Sequence, residues 1–218
     1  MLRPEHEETL IIPAGRRELE CQLLLPVGAR ALVLFAQGSG SANQRNQLVA
    51  AALRERGLGT LLFDLLTSEE SATPPFDVPL LASRLTEVTE WVRGRRAARG
   101  LPLGYFGAGT GTAAALIAAA KNPRSIFAIV SRGGRPELAR DALERVQAPT
   151  LLIVGGEDAT VLEQNEGALE RIPARKHLVV VPGATALFEE PGSLYELSHL
   201  ASDWFLSHLQ EAERPMHL

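Results

Sequence analysis

The sequence predicts an α/β fold with a mostly parallel sheet, and three observations carry that prediction. From residue 31 onward, short apolar runs alternate with segments of helical periodicity, the pattern of successive strand–helix–strand units. Several of the runs, "ALVLFA" (31–36), "GTLLFDLL" (59–66) and "APTLLIVGG" (148–156), are apolar almost throughout rather than alternating, as in strands covered on both faces. A glycine-rich or polar patch follows each run: Gln37–Ser41, Asp64–Thr67, Gly107–Gly111, Ser131–Arg135, Gly155–Asp158 and Gly183–Phe188. Open parallel sheets bind ligands outside the carboxyl ends of their strands, so these patches are expected to share one site.

The elements are justified in chain order. "ETLIIP" (8–13) and "LECQLLLP" (19–26) read as two strands joined by a turn at "AGRR", before the alternation begins. After the strand 31–36 comes a helix over Asn43–Arg56, with Leu48, Ala51 and Ala52 on its apolar face and Gly57 stopping it. The strand 59–66 leads into the longest break, "TSEESATPPFD", where the Pro-Pro pair forces extended backbone. A helix from Val78 to Arg96, the strand "LPLGYFG" (101–107) and a helix ending near Lys121 come next. The strand "IFAIVS" (126–131), a short helix near Pro136–Val146, the strand 148–156 and a helix over Val161–Arg171 continue the series. "HLVVVPG" (177–183) is the last strand and Leu194–Leu209 the last helix. The count is about seven or eight strands, with helices on both faces.

Composition bounds the function. The 218 residues suit one domain spanning 1–218, with 45% hydrophobic and 22% charged residues, ordinary values for a globular chain. A net charge of -4, with no block of basic residues, argues against a nucleic-acid partner. Cys21 is the single cysteine, so no intrachain disulfide can form, and its context "LECQLLL" suggests a plain strand position. The start "MLRPEHEETL" lacks a signal-like apolar core. No run approaches the roughly 20 apolar residues needed to span a bilayer. The expectation is a cytoplasmic protein without a membrane partner.

The chemistry centres on "GYFGAGTGTAAALIAAA" (104–120), a strand end, a tight glycine turn and a small-residue helix. Gly109, Gly111 and Ala114 match the dinucleotide pattern G-x-G-x-x-G/A. That fingerprint belongs in the first strand–helix–strand unit, with an acid at the end of the next strand. Here it lies mid-chain, and the next strand ends in "SRGGR". Only Arg132 or Arg135 could there meet a 2′-phosphate. A second reading is a nucleophile elbow, G-x-S-x-G, in which Gly107 and Gly111 are the flanking glycines and Gly109 occupies the nucleophile's place. A third is structural: glycines let helix and strand pack closely and tolerate strained backbone. The elbow reading alone explains why an acid, Asp158, follows in a later strand-end loop, as the Ser–Asp–His order requires.

The segments "VLFAQGSGS", "LLFDLLT", "GYFGAGTGTAAALIAAA", "VSRGGRPELA", "APTLLIVGGEDATV" and "VPGATALFEEPG" together resemble the dienelactone hydrolase-like branch of the α/β-hydrolase family, over essentially the whole chain. The resemblance implies a hydrolase fold without a large cap domain and an activity on carboxylic esters or lactones. It implies a small-molecule ester, lactone or carboxylate as the partner; no cofactor is expected, and without His-rich spacing, with Asp64 and Asp158 too few, no metal is expected either. By position, Gly109 stands where the family's serine or cysteine nucleophile belongs, Ala186 where the histidine base belongs, and Asp158 is the remaining acid. The family's oxyanion hole falls on backbone N–H groups at Gly38, Ser39, Gly40 and Thr110. Gln37 departs from the family's "HG" at the end of the third strand.

A serine triad needs a nucleophile, a base and an orienting acid, and two of the three are missing. The expectation is an inactive hydrolase, disarmed by nature or by design. The alternative is a non-catalytic protein that binds a small molecule in the emptied pocket. No other residue is placed to substitute. Ser39 and Ser41 lie in the oxyanion loop. His6, His177, His199, His208 and His217 are expected at the surface, away from the site. Glu189 and Glu190, with Asp158, make at most a weak carboxylate cluster. Arg132, Arg135 and Phe188 border the site with Gln37 and are candidates for substrate binding. For the two arginines, the competing reading is a salt bridge to Asp64, Glu189 or Glu190. The sequence leaves the oligomeric state open.

Overall fold

The computed structural model describes residues 4–38, 40, 43–71 and 77–212. It contains an eight-stranded sheet. β1 (Pro4–Ala14) and β2 (Arg17–Pro26) form an antiparallel hairpin whose register closes at Ala14 opposite Arg17. β2 joins β4 (Leu58–Asp64) antiparallel. From there the sheet is parallel through β3 (Ala31–Gln37), β5 (Leu103–Ala108), β6 (Ile129–Arg132), β7 (Thr150–Gly155) and β8 (Lys176–Val181). The predicted alternation from residue 31 is therefore the observed one.

The continuous apolar runs are buried because both sheet faces are covered. Side chains alternate across a strand, and those of β3 divide accordingly. Leu32, Leu34 and Ala36 enter one apolar cluster, and Ala31, Val33 and Phe35 enter the other. The first cluster packs under α3 (Val78–Gly94), α4 (Thr110–Lys121) and α5 (Ala159–Arg171). The second packs under α1 (Gln44–Glu55) and α6 (Ser193–Ala212). α1 begins at Asn43, whose side chain caps the Asn46 N–H at 2.9 Å, and Asp77 caps α3 in the same way. Caps of this kind satisfy N–H groups that the first helical turn leaves without partners.

Four expectations change in the structure. α1 turns Asn46, Val49, Ala50 and Leu53 inward, and Leu48 is 51% exposed. Both stripes have helical spacing, so periodicity alone did not choose between them, and the bulkier Val49–Leu53 pair fills the space over the sheet. The break after β4 contains a short helix, α2 (Ser68–Ser71), and residues 72–76, with the Pro-Pro pair, lie outside the described residues. Its Glu70 forms a two-point ion pair with the buried Arg84 of α3, at 2.7 and 2.8 Å. The strand at 126–131 is shorter, because only Ile129–Arg132 join the ladder. The helix near 136–146 is a pair of 3₁₀ turns broken at Arg140, whose φ of 49° no helix accommodates. Among the described residues, no helix is long and apolar enough to cross a membrane.

Candidate functional site

The order β4-β3-β5 reverses the direction in which the chain builds the sheet. Such a reversal leaves a crevice at the carboxyl ends of the two central strands. A cavity of about 1010 Å³ lies there. It is lined by Gln37 and Gly38 after β3, by Ala108, Gly109 and Thr110 between β5 and α4, and by Arg132 and Gly133 at the end of β6. Arg45 of α1, Asp77, Val78 and Pro79 at the start of α3, Ile117 of α4, Arg135, Leu138 to Arg140, Ala186 and Leu187 complete the wall.

The glycine turn between β5 and α4 is an elbow in conformation. Gly109 has φ 53° and ψ -127°, a region that L-residues enter only under strain. A Cβ built at Gly109 meets nothing within 4 Å, so the turn leaves room for a side chain that the sequence does not supply. Its neighbours are glycine for a different reason. A Cβ at Gly107 would stand 2.7 Å from the Thr112 Cα, and one at Gly111 would stand 1.9 Å from the Ala36 carbonyl oxygen. Close packing therefore requires the outer glycines, and the middle one faces open space. The Gly109 carbonyl is fixed by the Thr112 N–H at 3.2 Å and the Arg135 N–H at 3.0 Å. α4 starts at Thr110, so its unpaired first N–H groups and the positive end of its dipole lie at the cavity.

The loop after β3 is held from both sides. Leu65 N–H donates to the Gln37 carbonyl at 3.0 Å and Leu66 N–H to the Gly38 carbonyl at 2.8 Å. The Gln37 side chain accepts from the Asn46 amide and donates to the Gly40 carbonyl. Gln37 thus ties the β3 exit to the first turn of α1. Gly40 follows at φ 72°, and Ser39 and Ser41 lie outside the described residues.

Of the three positions expected to correspond to a triad, Gly109 and Ala186 both line this cavity. The Ala186 loop presses on the end of β6, where a Cβ at Gly133 would come within 2.4 Å of the Ala186 carbonyl oxygen. Asp158 is not on the cavity wall. Its carboxylate caps α5 by accepting the Val161 N–H at 3.1 Å. Its loop is still joined to the Ala186 loop, through Glu157 N–H to the Ala184 carbonyl at 3.0 Å. A triad acid orients its base from behind, and Ala186 offers Asp158 no imidazole to orient.

Phe188, expected to bind substrate, is 1% exposed and packs into the core beneath α1 and α6. Its loop turns inward at φ 55°, which sequence alone does not signal. None of the described histidines is on the cavity wall: His6 pairs with Glu8, His177 is exposed at the start of β8, and His199 lies edge-on against Tyr195. His208, expected at the surface, is buried against Trp204 with its Nδ1 at 2.9 Å from the Trp204 carbonyl. His217 lies outside the described residues. Among the described residues, no group of three or more His, Cys, Asp or Glu side chains is arranged to hold a metal ion.

The arginines depart most from expectation. Arg135 pairs with Glu137 at 2.9 Å, and Glu189 is taken by Arg45. Arg132 makes none of the predicted bridges to Asp64, Glu189 or Glu190. It is 6% exposed, and its Nη1 is buried without a hydrogen-bond partner among the described residues. Burial, and then the nearby Arg45 charge, push its pKa down to about 10, still well above neutral pH. Arg45, Asp77 and Arg140 are wall residues that the sequence did not single out. Arg45 had a signal: it lies in the first turn of the helix after β3, and that turn faces the strand end. Arg140 had none, because its place depends on the break in the 3₁₀ segment.

No protein-family model matches the chain. It is 47% identical to a dienelactone hydrolase from Anabaena variabilis, covering 94% of this chain and 98% of that one with a TM-score of 0.89. A dienelactone hydrolase-like promiscuous phosphotriesterase from metagenomic libraries shares the fold at a TM-score of 0.75 and 16% identity, over 93% of this chain and 98% of that one. A protein of Mycobacterium tuberculosis, whose name places it provisionally among the phosphoribosyl transferases, is 51% identical over 210 residues. That match covers 94% of this chain and 47% of the mycobacterial protein, so the chain spans about half the length of that relative.

Proposed function

Because the chain belongs to the dienelactone hydrolase family of α/β-hydrolases, we propose that it is a non-hydrolytic member whose cavity holds a small molecule instead of cleaving one. One observation carries this reading. Gly109 keeps the backbone of a nucleophile elbow, with space beside it, but has no side chain to attack with. Ala186, the other residue of the vacant pair, can neither take nor give a proton. Acyl transfer through a triad requires both missing groups. In a protease stripped of its triad, binding and the oxyanion hole alone left about 10³–10⁴ over water. The backbone N–H groups at Gly38, Gly40 and Thr110 do not depend on side chains and remain suited to an oxygen-bearing ligand, whether ester, lactone or carboxylate. The transferase name of the mycobacterial relative belongs to a protein about twice as long as this chain.

The test is restoration. Gly109→Ser with Ala186→His should hydrolyse p-nitrophenyl acetate faster than the parent, which should show no saturable turnover. Parent turnover equal to that of the double variant would mean that other groups perform hydrolysis. No gain in a folded double variant would mean that these two positions are not the vacant pair.

A further inference from the structure

The cavity carries a charge that the protein leaves uncompensated. Four arginines, Arg45, Arg132, Arg135 and Arg140, line it against one carboxylate, Asp77. Arg45 and Arg135 have partners in Glu189 and Glu137. Arg132 has none among the described residues, although it is the most buried of the four. Taking a guanidinium out of water without a counter-charge is costly, so buried charges are nearly always paired. A buried polar atom without a partner in a folded protein therefore needs a specific cause. Arg132 is also at the foot of α4: its backbone pairs with Ala108, one residue before the elbow. The guanidinium and the free N–H groups of the α4 N-terminus thus border one space, and both favour an anion.

The geometry points to a phosphate monoester of a small organic molecule as the ligand, with its phosphoryl group on Arg132 and the α4 N-terminus. Its organic part would lie against Val78, Pro79, Ile117, Leu138 and Leu187, the apolar part of the wall. This assignment rests on the reading of the cavity as a binding site. A phosphate monoester suits it better than a carboxylate on two counts. At neutral pH it carries about -1.5 to -2 charges, enough to meet both Arg132 and Arg140, the wall arginines with no carboxylate partner among the described residues. Its three terminal oxygens can accept from a guanidinium fork and from helix N–H groups together, where a carboxylate offers two.

The test is calorimetric titration of the whole chain with phenyl phosphate, benzoate, phenol and inorganic phosphate. Phenyl phosphate should bind most tightly, inorganic phosphate and benzoate more weakly, and phenol not measurably. Arg132→Met, of similar length but uncharged, should weaken phenyl phosphate by about tenfold to a hundredfold, the equivalent of one charge-assisted contact. Should Arg132→Met fail to fold, a second variant decides. Ala186→Glu places a carboxylate on the cavity wall while keeping Arg132, and should raise the melting temperature and abolish phenyl phosphate binding. Benzoate binding as tightly as phenyl phosphate, phenol binding equally well, or undiminished binding in either variant would overturn the assignment. The ester-hydrolysis assay is read separately with an uncharged substrate, so failure of the anion site and failure of the binding reading are distinguishable.

Discussion

Replacing Gly111 by alanine should damage the fold more than replacing Gly109, two residues away. At Gly109 a Cβ meets nothing within 4 Å, so the cost is that of holding an L-residue at φ 53°. Strained backbone of that kind costs about 1–3 kcal/mol. At Gly111 the added Cβ would stand 1.9 Å from the Ala36 carbonyl oxygen, so backbone must withdraw by about 1.1 Å merely to reach 3.0 Å. Neither side can yield cheaply. Ala36 is held in the middle of the sheet between β4 and β5. α4 buries Ala113 to Leu116 and Ala118 to Ala120 along its length. A radial gap of about 0.5–1 Å already forfeits a quarter to a half of each contact's attraction, so moving the helix loosens many contacts at once. Gly111→Ala should therefore cost about 3 kcal/mol or more, at or beyond the upper end of ordinary overpacking. Urea unfolding followed by circular dichroism compares the two variants directly. A Gly111→Ala midpoint at or above that of Gly109→Ala would refute the claim that packing, rather than backbone conformation, demands the outer glycine.

Two further outcomes follow from titratable groups outside the cavity. Burial, with a smaller contribution from the Glu20 charge, raises the Cys21 thiol to about 12. Cys21 should therefore resist a disulfide-exchange reagent at pH 8 until the chain is unfolded, and rapid labelling of the native protein would contradict its burial. The Arg84 side chain, donating to the Glu70 carboxylate, holds Glu70 down at about 2 from its ordinary 4.5. A depressed carboxyl stabilises the fold fully above the unfolded value and loses that contribution as pH falls through the folded one. Parent stability should thus decline between about pH 5 and 2 more steeply than that of Glu70→Gln, measured by urea midpoints across that range. Parallel curves would exclude the pair as a contributor.

The sheet was legible because strands covered on both faces read as unbroken apolar runs, and the one helix with such a run, α4, is marked by its alanines ("AAALIAAA", 113–120). The glycine turn was legible for a related reason: its frame is local, and spacing along the chain fixes it. What the sequence hid depends on rotation and on irregular backbone. α1 carried two stripes of helical spacing, and only the volume above the sheet selects Val49 and Leu53 over Leu48. Phe188 and Arg140 take left-handed backbone in non-glycine residues, so neighbouring residues gave no warning of where their side chains would go. Arg132 was placed at the strand end by its sequence position, but its missing partner emerged only when Glu189 was found with Arg45 and Glu137 with Arg135.

The elbow has an evolutionary consequence. Its shape is enforced by neighbours: Gly107 against Thr112, Gly111 against Ala36, and the pinned carbonyl of Gly109. None of these contacts involves a reacting group. Selection for folding alone is then enough to preserve the turn, so its persistence in a lineage does not testify to activity. The same constraint keeps the turn ready. A descendant could gain a side chain there by changing one residue whose added Cβ meets nothing within 4 Å, whereas a lineage that lost an outer glycine would have to rebuild the junction of helix and sheet.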